Sequence, residues 1–328
     1  MILTYTLMIT NVQMNCSELI GQPQAIELLK QAIQRDRLAP AYLFVGANGI
    51  GRSLAAKCFC ASLLSFGLSE EKSSLTQKRL LANNHPDLLW VQPTFQHQAQ
   101  LLTAKEAENA GLKRKAPPQI RIEQVREITY FLSRPPLESF RSVIVIEDAH
   151  TMTEAAANAL LKTLEEPGKA TLILIAPSTD SLLPTLVSRC QRIPFYRLSS
   201  EQMAHVLKAN QYEEILNYPE LLVMAAGSPG EAIAFYSYLQ SIPPELQEQL
   251  THLPKSPIKI LELAKKVTQD LENDVQLWLV DYLQQYYWKQ SQNPKKLETL
   301  EKARQCLLNY VQPRLVWECT LLNLCQGR

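Results

Sequence analysis

Apolar residues follow two rhythms along this chain: short runs of strand length within residues 15–197, and helical stripes throughout. The candidate strands are Tyr42–Val45, Asp87–Val91 with its apolar part at 88–91, Val143–Ile146, Leu172–Ala176 and Ile193–Tyr196. Each has the length of a strand, and an uninterrupted apolar run is what a strand covered on both faces requires. Among them, Gln24–Gln34 places Ile26, Leu29, Ala32 and Ile33 on one helical face, and Leu54–Leu64, Ile122–Leu132 and Glu154–Glu165 are helical segments as well. Helices of this length carry the chain from one parallel strand to the next with the usual right hand. The prediction for 15–197 is an α/β domain, a parallel sheet with helices on both faces.

The rhythm fails from Pro93 to Gln119, where Gln, Ala, Lys and Glu dominate and Gly111 and Pro117-Pro118 interrupt. That stretch, 93–119, reads as an insertion or long loop with room for a short helix over Ala104–Asn109. Beyond it and the last strand, only helical stripes remain. Ser200 is placed to cap a helix over Glu201–Ala209, Pro219 opens another reaching Ala226, and a third spans Glu231–Leu239 after a break at Gly227-Ser-Pro-Gly230. These make a small helical unit, 198–242, with Ile242-Pro-Pro244 as its linker to the C-terminal third of the chain. From 243 to 328 glycine is absent until Gly327. Stripes of Ile260, Leu263, Ala264, Val267 and Leu271, then Val275, Trp278, Leu279, Tyr282 and Tyr286, then Leu297, Leu300, Leu307 and Val311 predict a third, all-α domain. Its last helix restarts at Pro313 and carries Leu315, Cys319 and Leu322. The aromatic residues of this domain are expected in its core.

Composition narrows this picture without changing it. A chain of 328 residues, 46% hydrophobic and 20% charged, is an ordinary globular protein of two or three domains. The formal net charge of +1 argues against holding DNA by bulk electrostatics, although a local basic face stays open. Lys113-Arg-Lys115 could touch phosphates, with a solvated loop as the simpler reading. Seven scattered cysteines with no Cys-x-x-Cys pair suggest neither a disulfide framework nor a zinc site, and fit a reducing cytosol. The apolar stretch Met1–Ile9 lacks a basic leader and is too short to span a bilayer, so 1–14 reads as a flexible extension before a start at Met14.

Chemistry gathers at the strand ends. Tyr42–Val45 leads directly into Gly46-Ala-Asn-Gly-Ile-Gly-Arg-Ser53, a strand, glycine loop and helix in the order of a phosphate-binding unit. A working loop of this kind ends in Gly-Lys-Ser/Thr, whose backbone N–H groups cradle phosphates, whose Lys reaches the terminal phosphates and whose hydroxyl ligates Mg²⁺. Gly46, Gly49, Gly51 and Ser53 are in place, but Arg52 occupies the Lys position. A planar, forked guanidinium cannot fill a site shaped for an ammonium without repositioning. A turn kept for folding alone is the plainer alternative. The third run delivers Glu147-Asp148, the reverse of the order that sets an Asp in the Mg²⁺ shell and a Glu beside the attacking water. Each acid then has the wrong reach by about one methylene, and a displacement of roughly 1 Å costs about a hundredfold in catalysis. A solvated acidic turn accounts for the pair equally well, with weak Mg²⁺ affinity left open. Ser188-Arg189-Cys190 puts a guanidinium at a domain edge near the sheet, either paired with an acid or offered to a neighbour.

The order Val143–Asp148, a helix ending Leu160-Leu-Lys-Thr-Leu-Glu-Glu-Pro167, Thr171–Ala176 and Ser188-Arg-Cys190 resembles the clamp-loader branch of the AAA+ ATPases. With Ile20-Gly-Gln22, Tyr42–Ser53, His85-Pro-Asp87 and Gly227–Gly230, the resemblance covers nearly the whole chain and points to the delta-prime type of bacterial DNA polymerase III clamp loaders. It implies a RecA-like AAA+ domain over 15–197, a helical lid over 198–242 and a C-terminal collar over 243–328 that assembles a pentamer. In the ATPase members a Gly-Ser-x-Arg sequence presents an Arg to the nucleotide, and Gly230 stands in its place. Together with Arg52 and Glu147-Asp148, this implies a non-motor subunit that requires no cofactor and holds ATP or Mg²⁺ weakly at most. Arg189 is implied to act in trans, on the γ-phosphate held by a neighbour. The implied partners are gamma/tau and delta subunits, with the sliding clamp and primer-template DNA in the same complex, and no membrane. Many members carry a four-Cys zinc module before the His-Pro-Asp. Residues 65–84 hold no cysteine here, and Cys58 and Cys60 are expected as small core residues, so no metal is expected.

Two alternatives remain. A gamma/tau-type motor that tolerates Arg52 would turn over ATP by itself. A DNA-binding adaptor would bind DNA as a monomer with a steep salt dependence, which the near-zero net charge disfavours.

Overall fold

The computed structural model describes residues 16, 19–82, 84–97, 100–110, 117–309 and 311–326. The extension 1–14 and Lys113-Arg-Lys115 lie outside the described residues. Packing divides the chain into two compact units, Met1–Gln202 and Met203–Arg328.

The first unit is built on β1 (Ala41–Val45), β2 (Leu88–Val91), β5 (Ser142–Ile146), β6 (Ala170–Ala176) and β7 (Gln191–Pro194). They form one parallel sheet in the order β2-β5-β6-β1-β7. Every residue of β5 and β6 is buried, as their apolar runs require. Along β1 successive side chains serve opposite faces. Leu43 joins Ile144, Leu160, Leu172 and Leu186 in one core cluster, against the helices Ile122–Leu132 and Glu154–Glu165. Tyr42 and Phe44 point the other way: the Tyr42 ring meets Phe59 edge-on at 5.1 Å, on the helix Arg52–Leu64, and Phe44 meets Phe195 at 5.3 Å. Both faces are therefore covered, and the RecA-like AAA+ arrangement is present. In such sheets ligands lie beyond the carboxyl ends of the strands. Here β1 delivers Gly46 to that edge and β5 delivers Glu147.

The first unit departs from the sequence reading at several points. Residues 93–119 are not simply a loop: β3 (Thr94–His97) and β4 (Gln100–Thr103) form an antiparallel hairpin, followed by the expected helix Ala104–Asn109. The glutamine-rich composition hid a cross-strand pair, Phe95 opposite Leu102. The helix Glu70–Leu81 was missed because it is polar nearly all round, with Thr76 buried and Leu75 half exposed. The helix starting at Ser200 is capped by Ser199, whose Oγ accepts from the Gln202 N–H at 3.3 Å while Gln202 Oε1 accepts from the Ser199 N–H at 3.0 Å.

The second unit is helical throughout. Its main core gathers Ile260, Leu263, Val267, Trp278, Leu279, Leu300, Trp317 and Leu321, and Trp278 stacks on Tyr282 at 5.3 Å. A smaller cluster packs Met203, Leu207, Ile215, Ala225 and Ala232. In the last helix, Pro313–Gln326, the buried face is Val316, Trp317, Thr320, Leu321 and Leu324, not the stripe through Leu315 and Cys319, which are exposed. Trp317 decides this orientation. It is fully buried, and its Nε1–H donates to the buried Gln276 Oε1 at 2.8 Å, whose amide in turn donates to the Leu271 carbonyl.

Candidate functional site

The glycine loop is held by its backbone. At Gly46 an added Cβ would lie 2.6 Å from the Phe195 carbonyl oxygen, and Gly51 has φ of 100° with Leu19 2.6 Å from its missing Cβ. Neither position admits a side chain without moving main chain or core. The segment before the first helix closes over the loop: the Gln22 amide donates to the Ile50 and Tyr196 carbonyls and its oxygen accepts from the Tyr196 N–H. Gly49 also sits in the left-handed region, at φ of 70°.

Arg52 opens the helix Arg52–Leu64 and is buried, 6% exposed. Its Nη2 donates to Asn48 Oδ1 of its own loop at 2.6 Å. The guanidinium is thus folded back on the glycine loop, where an ammonium would extend along it towards phosphate. Ser53 Oγ donates to Glu147 Oε1 at 2.5 Å. The second Glu147 oxygen accepts from Trp90 Nε1 at 3.0 Å and from Gln92 Nε2 at 2.9 Å. Glu147 therefore reaches the position next to the loop hydroxyl in spite of the inverted order, contrary to the expectation that its length would misplace it. The register explains how: β2 and β5 pair Val91 with Ile146, so Gln92 and Glu147 emerge side by side at the sheet edge.

Asp148 takes a different path. It has left-handed backbone angles, φ 47° and ψ 48°, and starts the short 3₁₀ turn Ala149–Thr151. Gly230 lies in the second unit, in the first turn of the helix Pro229–Ser241, where the Ser228 side chain accepts from the Glu231 N–H.

Burial alone would push the Glu147 carboxyl up. The hydrogen bonds from Ser53, Gln92 and Trp90, with the Lys57 charge, outweigh it and hold the group below the usual carboxylate range. Burial pushes Asp148 up, with Glu147 adding and His150 and Arg52 opposing. A carboxyl whose folded-state pKa lies below its unfolded value contributes stability above that value, which is lost as pH falls through the folded pKa. Wild type is therefore expected to lose more stability than Glu147→Gln on acidification from about pH 5 to about pH 3. The urea midpoints of the two proteins, compared across that window, check it. Parallel curves would mean that the three donors do not stabilise a charge.

The fit to Mg²⁺ and a triphosphate is poor. The hydroxyl that would ligate the metal and the carboxylate beside it are bonded to each other, and both carboxylate oxygens already accept hydrogen bonds. Among the described residues no cluster of three or more His, Cys, Asp or Glu is arranged to hold a metal ion. Cys60 is fully buried, whereas Cys58 is only partly so and its thiol is hydrogen-bonded with that of Cys16.

Arg189 follows the short helix Pro184–Val187. Its Nη1 donates to the Thr185 carbonyl at 3.0 Å and its Nη2 meets Glu165 Oε1 at 2.9 Å, with the two side chains 38% and 55% exposed. Of the two sequence readings, the arginine paired with an acid is the one this geometry contains, with both side chains partly exposed. Sequence reasoning missed Asn48, Trp90, Gln92 and Glu165. The first is one helical turn before Arg52, and Trp90 and Gln92 follow from pairing the ends of β2 and β5. Glu165 had a signal too, since a carboxylate on the last residue of a helix opposes the helix dipole and needs a reason.

Residues 21–199 match the family described as DNA polymerase III, delta subunit, and residues 201–324 match the cyanobacterial DNA polymerase III delta prime, C-terminal domain. DNA polymerase III subunit delta' of Bacillus subtilis is 37% identical over 180 residues, 54% of this chain and 48% of that protein. The subunit delta' of Pseudomonas aeruginosa is 34% identical over 205 residues, 60% and 55% of the two chains. This chain thus spans about half the length of these curated relatives. The solved structure of a DNA polymerase III gamma subunit-related protein from Thermotoga maritima superposes with a TM-score of 0.52 at 17% identity, covering 93% of this chain and 100% of that one, a likeness of fold.

Proposed function

This chain belongs to the DNA polymerase III delta-subunit family, of the delta-prime type, and we propose that it is the non-motor subunit of a clamp loader that helps place a sliding clamp on primer-template DNA. Its own nucleotide pocket does no chemistry, and Arg189 is supplied in trans to a neighbouring gamma/tau-type ATPase. The observation that carries this reading is the closed edge of the sheet: Ser53, Trp90 and Gln92 occupy the Glu147 carboxylate while Arg52 is folded onto Asn48. An ATPase needs those same groups on Mg²⁺, phosphate and water together. No nucleotide is required in this chain, and any ATP or Mg²⁺ it takes up is held weakly. Residues 198–242 act as the lid and 243–328 as the collar through which gamma/tau and delta subunits assemble. No described helix is long and apolar enough to cross a membrane. Work in the cytosol alongside the replicating DNA is part of the same proposal.

The test is a titration of the purified chain with labelled ATP, before and after adding a gamma/tau-type subunit. No turnover is expected from the chain alone, and turnover is expected only in the assembly. Hydrolysis by the isolated chain that is abolished by Arg52→Ala would mean that it is itself a motor. Salt-sensitive DNA binding by the monomer would favour an adaptor instead.

A further inference from the structure

Glu165 is half exposed, and its carboxylate lies 2.9 Å from the one arginine the proposed function uses. It ends the helix Glu154–Glu165, where a negative charge is locally unfavourable, so its placement answers to something outside that helix. The guanidinium it meets has five N–H donors in a fixed fork. Thr185 takes one through Nη1 and Glu165 takes one through Nη2, which leaves the remainder of the fork available at a side chain 38% exposed. Two acceptors on separate elements bias both the position and the plane of a side chain that would otherwise sample many rotamers evenly.

We propose that Glu165 is a positioning residue for Arg189, holding its guanidinium in the orientation in which it meets the anionic phosphate of a nucleotide bound by the adjacent subunit. This rests on the trans role of Arg189 proposed above. The alternative, that Glu165 is a latch that withholds the arginine, fails on magnitude. An ion pair this exposed is screened by salt and too weak to keep a guanidinium from a polyphosphate. What the carboxylate can supply is pre-organisation. Ordering one flexible charged side chain in advance corresponds to about a two- to tenfold gain in rate.

The experiment uses the full assembly, reconstituted with gamma/tau- and delta-type subunits on primed DNA, with assembly of every variant verified by sedimentation. Glu165→Ala is expected to lower kcat for ATP about two- to tenfold with KM changed by less than about twofold, because the bound nucleotide is touched only at the reacting phosphate. Glu165→Gln, which keeps an acceptor at the same reach, is expected to recover at least half of the lost turnover. The double variant with Arg189→Ala should be no slower than Arg189→Ala alone, since Glu165 acts only through that side chain. If Arg189→Ala slows the assembly and Glu165→Ala does not, or if Glu165→Ala speeds it, or if the two losses multiply, the positioning role is wrong and the trans arginine stands. If Arg189→Ala has no effect in an intact assembly, the trans reading itself falls, and the positioning role with it.

Discussion

Arg189→Ala is expected to give a chain that folds and assembles normally but lowers DNA-stimulated ATP turnover of the reconstituted complex by at least about tenfold at the site it serves. Stability should barely change. The pair with Glu165 joins two side chains that are 38% and 55% exposed, and exposed pairs contribute about 0–1 kcal/mol. The rate should change greatly, because trans arginines in other NTPases are worth about 10³–10⁵ through stabilising charge that develops on the transferred phosphoryl group. The effect averaged over a complex is smaller wherever other ATPase sites keep their own arginines. Arg189→Lys should restore little, since a single ammonium cannot reproduce a fork held by Thr185 and Glu165. Steady-state ATPase with and without primed DNA, alongside sedimentation of the complex, makes the measurement. Unchanged turnover in an intact complex would remove the trans role.

What the sequence made legible was set by burial. The runs at 143–146 and 172–176 and the glycine loop could be placed because a doubly covered strand tolerates only apolar residues and the loop only glycine at its tightest points. The hairpin Thr94–Thr103 and the helix Glu70–Leu81 bury little, so their composition resembles that of loops. The last helix failed for a different reason. Leu315, Cys319 and Leu322 make an acceptable stripe, but the volume of Trp317 and its bond to Gln276 decide which face turns inward, and that partner lies 41 residues away. At the candidate site the residue types at Arg52, Ser53 and Glu147 were visible, and their mutual satisfaction was not. The inverted acids suggested misplacement. Instead, the longer side chain of Glu147 lets it close on Ser53 directly, and the partners that complete the closure, Trp90 and Gln92, come from a strand that carries no chemical motif.

Asp87→Ala is expected to be the most damaging single change in the first unit outside its apolar core, costing about 3 kcal/mol. Asp87 is 2% exposed, and its carboxylate accepts from three successive backbone N–H groups: Leu137 at 2.6 Å, Glu138 at 2.9 Å and Ser139 at 2.7 Å. Hydrogen bonds to a charged acceptor contribute about 1.5–3 kcal/mol each, and the sum is reduced here because Leu137 and Glu138 are exposed enough for water to replace part of it. Asp87→Asn tests the charge apart from the shape. The amide offers a single oxygen and turns its own N–H donors towards backbone donors, so it should lose nearly as much as Ala. Urea midpoints give the global loss, and amide exchange over 137–139 should quicken about a hundredfold if the loop opens locally. An Asn variant as stable as wild type would mean that packing, including Phe140 against Gly67, holds the loop without the carboxylate. The outcome bears on the site because the same residue ties two strands together: the Asp87 carbonyl accepts from the Val143 N–H at 2.8 Å, the first link in the register of β2 with β5. That register is what brings Gln92 beside Glu147. Within the His85-Pro-Asp87 signature, then, Asp87 acts on the nucleotide edge from the far end of the sheet. Its loss should loosen the Glu147 cluster as well as the loop, and slower amide exchange at Glu147 than at 137–139 in the Ala variant would show how far the disturbance travels.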